Sequence, residues 1–224
     1  AYHSAYIPAG VTEEQCQALQ NYIDGKTDLS DEELSEIFSV YPVRPWNILA
    51  ITFTNKAAKE LRERLDRMLG AEEAEEAMAS TFHSCCVRIL RRDIDKLDAA
   101  YTRSFAIYDT SDAERVIKDA MGELKADDKM FKHKAVLGEI SRAKDELLSP
   151  EAYLEKAGSD FRKQQIGKIY AAYAARMKKA NALDFDDLIV QTVRLFQQRP
   201  EVLEYYQNRW RYVMIDEYQD TNHA

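Results

Sequence analysis

With 224 residues, 39 Asp and Glu against 31 Lys and Arg, and a formal charge of −8, the chain has room for one large domain or two small ones. The acidic balance excludes a surface that grips nucleic acid by net charge alone, because phosphate contacts need local Lys and Arg; a basic groove within an acidic protein stays open. Cys16, Cys85 and Cys86 are odd in number and lack zinc spacing, which excludes a disulfide framework and fits reduced thiols, with Cys85 and Cys86 partly in the core.

Thr12-Glu13-Glu14-Gln15 reads as a capping box opening a helix. A second short helix opens at Ser30-Asp31-Glu32-Glu33 and carries Leu34, Ile37 and Phe38. Between them, Gly25-Lys26-Thr27 imitates the end of a phosphate loop. Gln20 stands where the earlier glycine is required, and a helix precedes where a strand is needed, so the segment reads as a turn. No G-x-x-x-x-G-K-[ST] string occurs in the sequence.

Ile48-Leu49-Ala50-Ile51-Thr52-Phe53 reads as a buried strand running into a helix with Leu61, Leu65, Met68 and Leu69 on one face. Thr54 and Asn55 are N-cap types. A helix N-terminus just past a strand offers unpaired N–H groups and a positive dipole end, suited to a phosphate of a nucleotide or of a DNA strand. Phe53 adds a face on which a base could stack. Ser80-Thr81-Phe82-His83-Ser84 repeats the pattern after the apolar lead at Met78.

From about Ala99 to Ala182 the pattern is helical and polar. Phe105-Ala106-Ile107-Tyr108 is strand-like, and Ser111 with Glu114 forms a box opening the next helix, whose apolar face is Val116, Ile117, Ala120, Met121 and Leu124. Further helices span Phe131 to Asp145, start at Ser149-Pro150, and span Asp160 to Ala180. Lys129, Lys132, Lys134, Arg142, Lys144, Arg162, Lys163, Lys168, Arg176, Lys178 and Lys179 crowd this region. Either they are a solvated face or some of them touch DNA. In Leu183-Asp184-Phe185-Asp186-Asp187-Leu188, Asp184 caps a helix and Asp187 takes its third position; Phe185 reads first as structural, with a weaker DNA-side reading.

Tyr212-Val213-Met214-Ile215 fits a strand buried on both faces of a parallel sheet. Asp216-Glu217-Tyr218-Gln219-Asp220-Thr221-Asn222 follows at once. Chemistry in open α/β sheets sits past the carboxyl ends of strands. An acidic pair there suits Mg²⁺ and a nucleoside triphosphate, one carboxylate on the metal and the next on the attacking water. A charged turn is the plainer alternative, but Gln219, Asp220 and Asn222 add a polar layer that a turn does not need.

Four blocks together closely resemble the first motor domain of the UvrD/PcrA/Rep type of superfamily 1 DNA helicases. They are Trp46 to Ala58, Ser80 to Ser84, Ala182 to Leu188 and Ile215 to Asn222, in the family's order. The resemblance implies a P-loop NTPase (RecA-like) α/β fold, with a parallel sheet, helices on both faces and an inserted all-helical subdomain. It implies motor residues 1–102, with 4–43 an insertion and Ala1-Tyr2 the end of the helix after the phosphate loop, a helical 1B subdomain at 103–182, and motor residues 183–224. It further implies Asp216 on Mg²⁺, Glu217 activating water and Gln219 sensing the γ-phosphate of ATP. Thr52, Phe53, Thr54, Asn55, Thr81, Phe82 and His83 would line the single-strand track.

The implied activity is that of a 3′→5′ ATP-dependent DNA helicase acting on single strands and single/double-strand junctions, in repair or replication, with DNA-repair proteins as partners. The chain by itself, lacking the Walker A loop and a second motor, is expected to be inactive. A nucleic-acid-binding module that lost the motor is the alternative, opposed by the intact Asp216-Glu217 pair; the helicase part of a helicase–nuclease is another. No signal peptide or spanning apolar run is seen, and the cytoplasm is the expected location.

Overall fold

Strand β1, Ile48–Thr52, is the centre of a three-stranded sheet. On one side it pairs in parallel with β2, Met78–Thr81, and on the other with β5, Tyr212–Ile215. The computed structural model describes residues 12–38, 43–127 and 129–221, and the chain divides into two compact units, residues 1–44 and 45–224. Side chains alternate across β1 as strand geometry requires. Leu49 and Ile51 enter a core with Met78 and with helices α5 (Phe82–Leu97), α10 (Phe185–Gln198) and α11 (Pro200–Arg209). Ala50 and Thr52 look the other way, with Ala57 and Leu61 of helix α3, Asn55–Leu69. The sheet thus carries helices on both faces, as the sequence predicts. Helix α4, Ala71–Glu76, leads from α3 to β2. Leu90, Ile94 and Leu195 are fully buried between α5 and α10, and each such side chain contributes about 1.5–3 kcal/mol.

One expectation is overturned at β5. Tyr212, Val213 and Met214 are 50%, 56% and 57% exposed, not buried on both faces. The strand is apolar, but it lies at the sheet's edge. Its only strand partner among the described residues is β1, and α3 packs over β1 and β2.

Strands β3 (Ala106–Ile107) and β4 (Ala182–Leu183) pair in parallel with each other, and the helices between them in sequence build a second core. Helices α6 (Thr110–Glu123), α7 (His133–Asp145), α8 (Pro150–Ala157) and α9 (Phe161–Lys179) bury Ile117, Val136, Ile140, Ile169 and Tyr173 there. Gly167 of α9 packs so close to α8 that a Cβ would stand 2.5 Å from Leu154. Helix α6 starts two residues earlier than the Ser111–Glu114 box required. Asp109 is its N-cap and accepts the Asp112 N–H at 2.9 Å. Glu114 faces His133 and Lys134 instead, at 3.6 and 3.5 Å.

In the first unit, α1 (Glu13–Ile23) opens on the Thr12–Gln15 capping box and α2 (Asp31–Phe38) follows Ser30, whose hydroxyl accepts the Glu33 N–H at 3.2 Å. Gly25, at φ +68°, closes α1: Lys26 N–H reaches back to the Asn21 carbonyl at 2.8 Å, and Lys26 Nζ binds Asp24. That is a helix-ending turn, so Gly25-Lys26-Thr27 owes its glycine to a C-cap. Ala1-Tyr2, residues 4–11 and 39–42 of the expected insertion, and Asn222 lie outside the described residues.

Candidate active site and nucleic-acid face

Parallel pairing brings the carboxyl ends of the strands to one edge. Thr52 of β1 stands beside Thr81 of β2, and Ile51 beside Ile215 of β5. Each strand therefore delivers its following turn to the same side of the sheet, where ligands bind in open α/β folds.

The β1–α3 turn is held by hydroxyls. Thr52 is buried and donates to the Thr54 carbonyl at 3.2 Å, while Thr54 Oγ1 caps α3 by accepting the Ala57 N–H at 3.1 Å. Asn55 is exposed in the first turn. Phe53, between the two threonines, is left 42% exposed. The β2–α5 turn has the same construction: Thr81 accepts the Ser84 N–H at 3.3 Å, and the two hydroxyls meet at 2.9 Å. Phe82 and His83 follow, both half-buried.

Two aromatic pairs result. The Phe53 and Phe82 rings are 5.2 Å apart, and His83 meets Phe185 edge-on at 5.4 Å. Burial lowers the proton affinity of His83, although Asp186 works against it, so the imidazole is neutral at neutral pH. A neutral ring supplies a hydrogen bond and an apolar face to nucleic acid rather than a charge.

The acidic string hangs from β1. Asp216 donates its N–H to the Ile51 carbonyl at 2.9 Å, and its exposed side chain borders a cavity of about 390 Å³ shared with Thr52, Glu60 and Arg64. Glu217 adopts φ +52°, a left-handed conformation that Lys125, Leu147 and Asn181 also hold in this chain. Gln219 Nε2 donates to the Glu217 carboxylate, and both side chains are exposed. The site residues thus fall into two groups on one sheet edge: Thr52 with Asp216, and the Phe53–Phe82 and His83–Phe185 pairs. Glu217 and Gln219 bind each other and do not line the Asp216 cavity.

The described residues hold no cluster of three or more His, Cys, Asp or Glu side chains able to cage a metal. Mg²⁺ keeps most of its waters and takes one or two carboxylates plus phosphate oxygens. The exposed Asp216 carboxylate has that chemistry.

Lys144 was grouped with the surface cations, and the structure removes it from them. It is 3% exposed, with Nζ 2.6 Å from Asp184 and 2.7 Å from Asp187. The Tyr173 hydroxyl also donates to Asp184, at 2.7 Å. Burial would weaken the ammonium, yet the two carboxylates hold its proton above the ordinary lysine value. Burial likewise pushes Asp187 up to about 6, while at Asp184 it is outweighed by Lys144 and the Tyr173 hydroxyl, which keep that carboxyl below its usual range. Arg142, Arg176 and Lys178 are on the surface but engaged with Glu139, Glu123 and Asp98. The one sequence signal for the buried cluster was a pair of carboxylates three residues apart in a helix otherwise apolar on that side.

Residues 24–224 match the family described as the UvrD/REP helicase N-terminal domain. The ATP-dependent DNA helicase PcrA of Bacillus subtilis (strain 168) is 48% identical over 200 residues, covering 89% of this chain and 26% of that protein. PcrA of Staphylococcus epidermidis (strain ATCC 12228 / FDA PCI 1200) is 46% identical and PcrA of Staphylococcus aureus (strain NCTC 8325 / PS 47) 45%, each over 200 residues, 89% of this chain and 27% of the relative. The chain spans about a quarter of the length of these relatives. No described helix is long and apolar enough to cross a membrane.

Proposed function

Because the chain belongs to the UvrD/REP helicase N-terminal domain family, we propose that it is the first motor domain of an ATP-dependent DNA helicase. In this reading the motor moves 3′→5′ on single-stranded DNA and opens single/double-strand junctions, serving repair or replication with DNA-repair proteins in the cytoplasm. Residues 1–102 and 183–224 are motor, and 103–182 are the 1B lobe that leans on DNA. The observation that carries the proposal is the shared sheet edge, where Asp216 and Thr52 line one cavity and the next residue, Phe53, leaves its ring exposed against Phe82.

In the proposed mechanism, Asp216 would hold Mg²⁺, which would supply charge neutralisation for the triphosphate. Glu217 accepts a proton from the water whose oxygen attacks the γ-phosphorus, as the bond to the ADP oxygen breaks. Before that step Gln219, in contact with Glu217 in this structure, senses the γ-phosphate of ATP and links its presence to the strand track. Thr52, Thr54, Asn55, Thr81 and His83 bind the DNA strand, and Phe53 and Phe82 stack on its bases. Phe185, edge-on to His83, extends that aromatic row.

The chain alone carries no Walker A string, whose N–H groups and lysine cradle phosphates. It therefore binds ATP weakly or not at all and shows no DNA-stimulated hydrolysis. The test is single-stranded DNA binding by the 224-residue chain with and without Phe53→Ala, together with an ATPase assay. Loss of binding on removing the ring supports the proposal. DNA-stimulated turnover by this chain that Glu217→Gln abolishes would mean that Gly25-Lys26-Thr27 serves as a phosphate loop after all.

A further inference from the structure

Each carboxylate of the buried cluster divides its oxygens between two tasks. Asp184 uses Oδ1 to accept the Asp187 N–H at 2.8 Å and Oδ2 to accept from Lys144 and Tyr173. Asp187 uses Oδ2 to accept the Asp184 N–H at 3.3 Å and Oδ1 to meet Lys144 at 2.7 Å. The reciprocal capping box of α10 is thus closed on its inner side by one ammonium from α7. Inside the box stand Phe185 and Asp186. Phe185 is 51% exposed, and its one ring partner within the described residues is His83 at 5.4 Å. Little packing holds that ring, so its position is inherited from the backbone of the first turn.

Stability does not account for this arrangement. An apolar side chain in place of a buried ammonium and its counter-ions is often neutral or favourable, because burying charge is costly even when it is paired. Such a cluster fixes geometry instead: three charged groups with all their bonds directed permit one arrangement of α7, α9 and the start of α10.

We propose that Lys144 is a positioning residue for the DNA track: by bridging Asp184 and Asp187 it fixes the first turn of α10 and holds the Phe185 ring where a nucleobase stacks. This rests on the reading of the aromatic row as the strand-binding face. It also assigns a task to the 1B lobe, which supplies Lys144 and Tyr173.

Lys144→Met alone strands two buried carboxylates and can unfold the chain. The decisive variant combines Lys144→Met with Asp184→Asn and Asp187→Asn, which keeps cap-competent side chains and removes all three charges. Two readouts are taken on the 224-residue chain: the nuclear Overhauser contact between the His83 and Phe185 rings, which needs no DNA, and affinity for a single-stranded oligothymidylate. The expected result is a folded neutral variant that has lost the ring contact while keeping that of Phe53 with Phe82. Its DNA affinity should fall roughly tenfold, the range of one stacked base, and adding Phe185→Ala should then cost nothing more. Survival of the ring contact in the neutral variant, or an equal loss from Phe185→Ala in both backgrounds, would overturn the proposal. If Phe185→Ala leaves DNA binding by the unaltered chain unchanged, the track reading fails and takes the proposal with it, even where the ring contact depends on Lys144.

Discussion

Asp216 is tied to Ile51 by one backbone hydrogen bond of 2.9 Å across the β1–β5 ladder. Ile51 precedes Thr52 and Phe53, so the carbonyl that holds the residue proposed for metal lies one and two positions before two residues proposed for DNA. In the proposed motor this main-chain contact would be a short connection between phosphate chemistry and strand movement, one that side-chain substitution does not remove.

Substituting Glu217→Gln in a full-length helicase carrying this chain should reduce ATP hydrolysis by roughly 10²- to 10⁴-fold, the usual worth of a general base, with ATP affinity little changed. The amide keeps the shape but cannot accept the proton. Single-turnover hydrolysis and nucleotide titration check it; equal loss of binding and turnover would mean that Glu217 holds nucleotide rather than water.

Phe53→Ala should weaken single-stranded DNA binding by about 1–3 kcal/mol and leave unfolding by urea nearly unchanged, because the ring is 42% exposed. A large loss of stability with unaltered DNA affinity would make Phe53 a core residue.

Asn181→Ala should destabilise the chain by about 1–3 kcal/mol. Asn181 sits at φ +48°, accepts the Thr102 N–H at 2.9 Å and donates to Thr102 Oγ1 at 2.7 Å. It therefore clasps the two places where the backbone passes between sheet and helical lobe. Asn181→Gly relieves the left-handed backbone without restoring the clasp, so it should recover part of the loss; full recovery in urea melts would assign the whole effect to the backbone.

Stability should fall steeply above about pH 10. Burial pushes the Tyr101 and Tyr170 phenols up to about 12 and raises those of Tyr173 and Tyr206 further, while Asp187 and Asp184 keep Lys144 protonated against its burial. All five groups hold protons in the folded chain that the unfolded chain releases at the ordinary tyrosine and lysine values. Unfolding then releases protons, and stability declines as pH rises through that window. Urea midpoints across the range, with phenolate absorbance as a second signal, measure it; phenolate from the four buried tyrosines, beyond what exposed ones such as Tyr212 and Tyr218 supply, appearing before unfolding would contradict the burial argument.

The parts legible in the sequence were those decided by neighbours in the chain. Thr54, Thr81, Ser149 and Asp184 cap the helices where their types and spacing predicted, because a cap needs only three residues. The parallel strands at Ile48 and Met78 were legible as apolar runs ended by hydroxyls. Partners far along the chain were not. Asp109 and Ser111 are both competent caps, and the choice fell to Asp109 once Glu114 turned to His133 and Lys134. Lys144 reads as one more surface cation until Asp184, forty residues on, is brought against it. The exposure of β5 was likewise hidden, since an apolar strand looks the same at the middle of a sheet and at its rim.

That rim has a practical consequence. Val213 and Met214 present apolar side chains to water beside a row of backbone groups that no described strand engages, and such an edge is a template for adding strands from other molecules. Concentrated solutions of this chain should therefore form oligomers through Tyr212–Ile215 before any helix melts, and a single Val213→Lys gatekeeper should keep it monomeric in sedimentation without altering its fold.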